Sequence, residues 1–144
     1  MPHIDAWRLD PAAYPHRVAV QTRFQDVDML GHINNVAFAA LFETARVRFN
    51  HALGLTEWRG HRWLIAHVGI DYLAEAYHPA DVEIATGVER IGNRSWHLAA
   101  LAVQEGRAVA TCRAVLVMEA KQDATGLPDD FRARLEQFRV GPAA

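Results

Sequence analysis

Residues 35–54 carry the pattern that most limits the fold. Phe38, Leu41, Phe42, Ala45, Phe49, Ala52 and Leu53 fall on one stripe at 100° per residue. The spacing predicts one long helix with a wide apolar face to bury. Gly54 stands at its far end as a stop signal, and Arg46, Arg48 and His51 suit the negative end of the helix dipole. A helix of this kind needs a broad apolar partner, and the rest of the chain must supply it.

Elsewhere the apolar period is mostly that of strands. Residues 16–24 alternate, and residues 63–76 read as a long strand with a kink or bulge near Gly69. The run "YHPA" reads as a turn. Residues 81–91 and 95–104 form a hairpin across "GNR", and "EG" turns into a last strand over 107–120. The loop "DATGLPDD" follows, with Pro128 placed to open a short helix, "DDFRARLEQF". Residues 1–15 hold three of the six prolines and read as an N-terminal arm that can pack but has little structure of its own. The predicted order is strand, long helix, four strands as an antiparallel meander, then a short helix. That is an α+β domain, with a five-stranded antiparallel sheet wrapped around the helix. Residues 1–144 fit one domain. The helix covers one sheet face. The other face is rich in Ala, Val and Leu over 98–117, and an edge strand remains, so the chain is expected to self-associate.

Charge and motifs exclude several functions. A net charge of −2 gives no basic field for nucleic acid or an anionic membrane. The first residues have neither an apolar run nor a basic region, and no stretch approaches the roughly 18 apolar residues of a membrane span, which predicts a cytoplasmic protein. Cys112 is the sole cysteine; it lies mid-strand and reads as a small core residue. The eight histidines form no metal-binding spacing, and no nucleophile elbow or phosphate-binding loop is present.

The chemistry gathers just before the long helix. Asp26, Asp28, His32, Asn34 and Asn35 fall within ten residues, "DVDMLGHINN". If the helix starts at 34–36, its free amides point into this loop and would polarise a carbonyl there. A carboxylate in the same loop would attack that carbonyl or activate water, which suffices for acyl transfer. Structural roles compete for each residue. Asp26 and Asp28 suit caps or loop turns, Asn34 and Asn35 suit N-caps, and Gly31 supplies a positive φ. Lone in a loop, His32 suits a surface role. Glu43 lies off the apolar stripe, near Ala39, Ala40 and Val47, where it would either join a site or pair with Arg46.

The stretch "RFQDVDMLGHINNVAFAALFETAR" resembles the signature of hotdog-fold acyl-CoA thioesterases of the 4-hydroxybenzoyl-CoA thioesterase type. "IGNRSWHL" and "EGRAVATCRAVLVMEAKQDATGLPDDFRARL" are similar to later parts of that family, so the likeness spans nearly the whole chain. The resemblance implies a hotdog fold and a homodimer with a continuous sheet, or a homotetramer. It implies an active site at the subunit interface beside the helix N-terminus. It places Asp28 as base or nucleophile and the N–H of Asn35 as the carbonyl-polarising amide, with His32 and Glu43 as further catalytic candidates. Arg94 and Ser95 match the segment near coenzyme A. The implied reaction is hydrolysis of acyl-CoA to acid and CoA, with no cofactor and no metal. "HINN" is also similar to acyl-ACP thioesterases, although Leu30 stands where their loop is polar. A non-catalytic protein that binds acyl thioesters is the remaining alternative.

Overall fold

The computed structural model describes residues 3–55, 62–119 and 126–141. The long helix, α1 (Asn35–Ala52), starts where the pattern predicts. Asn34 caps it, its side-chain oxygen accepting the Ala37 N–H at 2.8 Å while its amide nitrogen donates to the Asp26 carbonyl at 2.9 Å. Phe38, Leu41, Phe42, Ala45, Phe49 and Leu53 are buried as the stripe requires, whereas Ala52 is exposed. Each fully buried Phe or Leu contributes about 1.5–3 kcal/mol. Among the described residues no helix is long and apolar enough to cross a membrane.

Five strands form one sheet: β1 (His16–Val20), β2 (Trp63–Tyr72), β3 (Val82–Ile91), β4 (Ser95–Gln104) and β5 (Arg107–Met118). The order is β1-β3-β4-β5-β2, and each neighbouring pair is antiparallel. The fold class is as predicted, but the strand order is not. Only β3, β4 and β5 form a meander; β2 pairs with β5 and becomes an edge. The reason lies in the link after Tyr72, which carries the chain across the sheet end. Leu73 and Ala74 donate to the Val109 carbonyl, and the Gln104 side chain bonds Tyr77 and Ala80. The irregularity of β2 falls between Ile65 and His67; Gly69 pairs regularly with Arg113.

The inner sheet face meets α1 through Ile84, Val88, Trp96, Leu98, Cys112 and Leu116. The helix lies toward β1 and β3: Arg48 on one flank donates to the Ala19 carbonyl of β1. The face of α1 turned away from its buried stripe, with Val36, Glu43 and Val47, is exposed, as are Ile65, Val68 and Tyr72 of β2.

The outer face is closed by the arm, which has little regular structure of its own. Two short 3₁₀ turns, Ala6–Leu9 and Pro11–Ala13, set Trp7 and Tyr14 against Ala85, Ala99 and Leu101. Buried Arg8 pairs with Glu89, and the Tyr14 hydroxyl donates to the Arg8 carbonyl at 2.8 Å. Gly87 lets the arm and the C-terminal tail approach, since a Cβ there would lie 2.7 Å from Pro15 and 2.8 Å from Val140. A short helix, α2 (Asp129–Glu136), follows Pro128, which stands at its N-cap, and buries Phe131 against Trp96 at 5.0 Å between ring centroids. Ala120 and residues 123–125, read above as a strand end and part of a loop, lie outside the described residues.

Candidate active site

The loop before α1 is built by its own polar groups. Asp26 is buried, and its carboxylate accepts from the Arg23 backbone at 2.9 Å and the Arg23 guanidinium at 2.9 Å. Its carbonyl receives the Asn34 N–H at 2.8 Å. Asp26 is therefore a structural brace. Val27 and Ile33 then pair as a β-bridge, leaving Asp28–His32 as a tip.

Asp28 closes that tip. Its N–H donates to the His32 carbonyl at 2.9 Å, and its Oδ1 accepts the N–H groups of Leu30 at 2.9 Å and His32 at 3.2 Å. Gly31 supplies the left-handed residue, φ +82°, that the tip needs. Oδ2 takes none of these bonds. One oxygen thus fixes the carboxylate within the tip.

An open groove of ≈ 590 Å³ runs beside the tip, walled by Asp28, His32, Phe38, Tyr72, Glu75 and Arg107. His32 is half-buried, with Nε2 3.3 Å from Glu75 Oε2 and its ring edge-on to Tyr77 at 5.3 Å. The Tyr77 hydroxyl donates to the same Glu75 oxygen at 2.7 Å. That bond, ahead of burial, pushes the Tyr77 hydroxyl above its ordinary pKa. Arg107 donates to the Glu75 carbonyl at 2.8 Å, which anchors the carboxylate's backbone. The Tyr72 ring packs edge-on against Phe38 at 5.6 Å, and its hydroxyl donates to the Asn35 carbonyl at 3.3 Å.

The groove lies at the positive end of α1. The N–H groups of Asn35 and Val36 open the helix with no intrahelical acceptor. A carbonyl oxygen brought to them would meet two donors and the helix dipole.

Of the sequence candidates, Asp28 and His32 meet in one groove, and Asn35 heads the helix beside it. Glu43 does not join them. It sits on the exposed flank of α1, eight residues and about 12 Å of helix past Asn35. No ion pair links it to Arg46 among the described residues, because Arg46 turns into the core. Arg94 and Ser95 lie on the β3–β4 hairpin, at the end of the sheet opposite the groove. Tyr72, Glu75, Tyr77 and Arg107 were missed. The signal was the polarity of "AEAYHP", too rich for a plain turn.

The model of the thioesterase-like superfamily matches residues 22–135. Among solved structures, a protein from Pseudomonas aeruginosa strain PAO1 superposes with a TM-score of 0.79 at 27% identity, covering 92% of this chain and 97% of its own. A predicted thioesterase from Bacillus stearothermophilus gives 0.77 at 30% identity, covering 88% and 98%. A thioesterase from Thermus thermophilus, complexed with coenzyme A and Zn, gives 0.76 at 30% identity, covering 87% and 95%. No curated protein matches the chain.

Proposed function

The chain belongs to the thioesterase-like superfamily and is a thioester hydrolase, and from that premise we propose that it hydrolyses acyl-CoA in the groove beside Asp28. The observation that carries this reading is the free Oδ2 of Asp28, in a groove at the open end of α1. The thioester carbonyl lies toward the Asn35 and Val36 amides. Asp28 Oδ2 takes a proton from water as the water oxygen attacks that carbonyl. The amides hold the resulting oxyanion. Collapse breaks the C–S bond and releases the acid and the CoA thiolate, which takes the proton back from Asp28 and restores the base. Glu75 holds His32 as a polar wall that positions the water. No step needs a cofactor.

Coenzyme A as carrier is supported by the Thermus thermophilus relative, which binds it. A second copy completes the site. β2 offers a ten-residue open edge, and its Ile65, Val68 and Tyr72 are exposed, as are Val36 and Val47 of α1. An unprotected apolar edge of this kind seeks a strand. Antiparallel pairing of β2 with its copy would bring the partner's β3–β4 hairpin to the groove end of the sheet. Arg94 and Ser95 would then serve CoA across the interface, and Glu43 would face the partner helix.

A panel of acyl-CoAs with a thiol reagent tests the proposal. Turnover of at least one, with the same acyl group hydrolysed more slowly from acyl carrier protein, is the expected result. Faster turnover from the carrier protein would move the assignment to acyl-ACP. Binding without turnover across the panel would contradict the proposed acyl-CoA chemistry.

A further inference from the structure

A second, narrower cleft lies between α1 and the sheet. Its floor is a rung of small side chains in register: Thr86 on β3 opposite Ala100 on β4, and Ala100 opposite Cys112 on β5. Phe42 and Arg46 of α1 form the roof, and Ala114 closes one side. The hollow exists because these strand residues are too small to fill the space beneath one helical turn. It leaves ≈ 10 Å³ for the centre of a water-sized group, room for the tip of a ligand but not its body.

Two polar groups in this cleft lack partners among the described residues. Arg46 is only 9% exposed, and its guanidinium makes no hydrogen bond or ion pair among the described residues, though its nitrogens keep some contact with solvent. Thr86 is 2% exposed, and its buried hydroxyl has no hydrogen-bond partner. A largely desolvated cation without an anion is unfavourable in proportion to its burial, and a buried hydroxyl without a partner adds to that. Burial pushes the Cys112 thiol up to about 11, while the Arg46 charge acts in the opposite direction, so the guanidinium's field reaches the floor.

We propose that this cleft is the end pocket for the acyl group, and that it selects an acyl chain whose far end carries a carboxylate. The inference rests on the acyl-CoA reading above. A carboxylate there would accept a charge-assisted pair of bonds from Arg46 and a third from Thr86, between apolar walls that strengthen all three. Groove and cleft lie along one side of the same helix: Phe38 lines the first, and Phe42, one turn on, lines the second. About 16 Å of helix axis separates the Asn35 and Arg46 backbones. The Arg46 side chain leans back toward the helix N-terminus, which shortens that span. The substrate class is the CoA monothioester of a medium-length dicarboxylic acid.

The test compares two acyl-CoAs of equal chain length, one ending in carboxylate and one in methyl. Arg46→Met keeps the apolar bulk, and Thr86→Val keeps the shape. The kcat/KM preference for the carboxylate-ended substrate should fall at least about tenfold in Arg46→Met and about threefold in Thr86→Val. A binding readout accompanies it: free dicarboxylic acid should raise the melting temperature of the wild type more than the matched monoacid does, and both variants should lose that difference. If the diacid effect depends on Arg46 while neither thioester is hydrolysed, the pocket stands and the acyl-CoA assignment falls. If preference and melting shift survive both substitutions, the pocket is refuted. It is equally refuted if Arg46→Met dissociates the subunits and lowers both substrates alike.

Discussion

In the proposed mechanism Asp28 divides its two oxygens between architecture and chemistry. Oδ1 ties the tip through Leu30 and His32, so the carboxylate cannot swing away, and Oδ2 stays open to the groove. Glu75 does the corresponding work for His32, held in turn by Tyr77 and Arg107. As a positioning residue it should act on turnover more than on binding. Glu75→Ala should lower kcat about tenfold with KM little changed, and Glu75→Asp should recover part of the loss. Wild-type kcat in Glu75→Ala would remove His32 from the chemistry. His16 makes a different prediction. Its ring packs on Phe49 at 5.5 Å, its Nδ1 is buried without a partner, and burial lowers its pKa below 6.5. Below pH 6.5 the unfolded chain binds a proton that folded His16 resists, so stability falls as pH falls. Melting temperatures at pH 7.5 and 5.5 should show this, and His16→Gln should flatten the difference.

At the scale of elements, α1 was legible because its signals are local. A 3.6-residue stripe, an Asn cap and a terminal Gly all lie within the segment they define. The strands were legible for the same reason, as was the β3–β4 hairpin, whose pairing partners are adjacent in sequence. Strand order was not. β2 chooses β5 over β3 because the link after Tyr72 crosses the sheet end, and no alternation pattern records that crossing. The same non-local step brings Glu75 to His32, so half of the groove was invisible while Asp28, His32 and Asn35 stood out. The arm's prolines break regular structure, yet Trp7 and Tyr14 still find an apolar sheet face. The hairpin carries a prediction of its own. Arg94 is exposed at its tip, where a guanidinium suits a phosphate. Arg94→Ala should raise KM for acyl-CoA and weaken its salt dependence, with kcat nearly kept. A short pantetheine thioester, which lacks the nucleotide, should not respond; equal losses on both substrates would make Arg94 structural.

For the whole molecule, the covered outer face shifts the case for assembly to the β2 edge. Exposed Ile65, Val68 and Tyr72 on β2, with Val36 and Val47 exposed on α1, leave apolar surface that the described residues do not cover. Light scattering should find a dimer or a tetramer. Val68→Lys, a charge in the middle of that edge, should yield a folded monomer with hydrolysis reduced at least about tenfold. A fully active monomeric wild type would sink the shared site. The central claim, thioester hydrolysis driven by the Asp28 carboxylate at the mouth of α1, is tested most directly by one measurement. That measurement is steady-state hydrolysis of the best acyl-CoA by Asp28→Asn. Asparagine keeps an oxygen that can accept the Leu30 and His32 N–H groups, so the tip and the assembly should survive, as circular dichroism and light scattering would verify. With the base gone, kcat should fall at least about 10²-fold. A folded, assembled Asp28→Asn protein with wild-type turnover would contradict the mechanism.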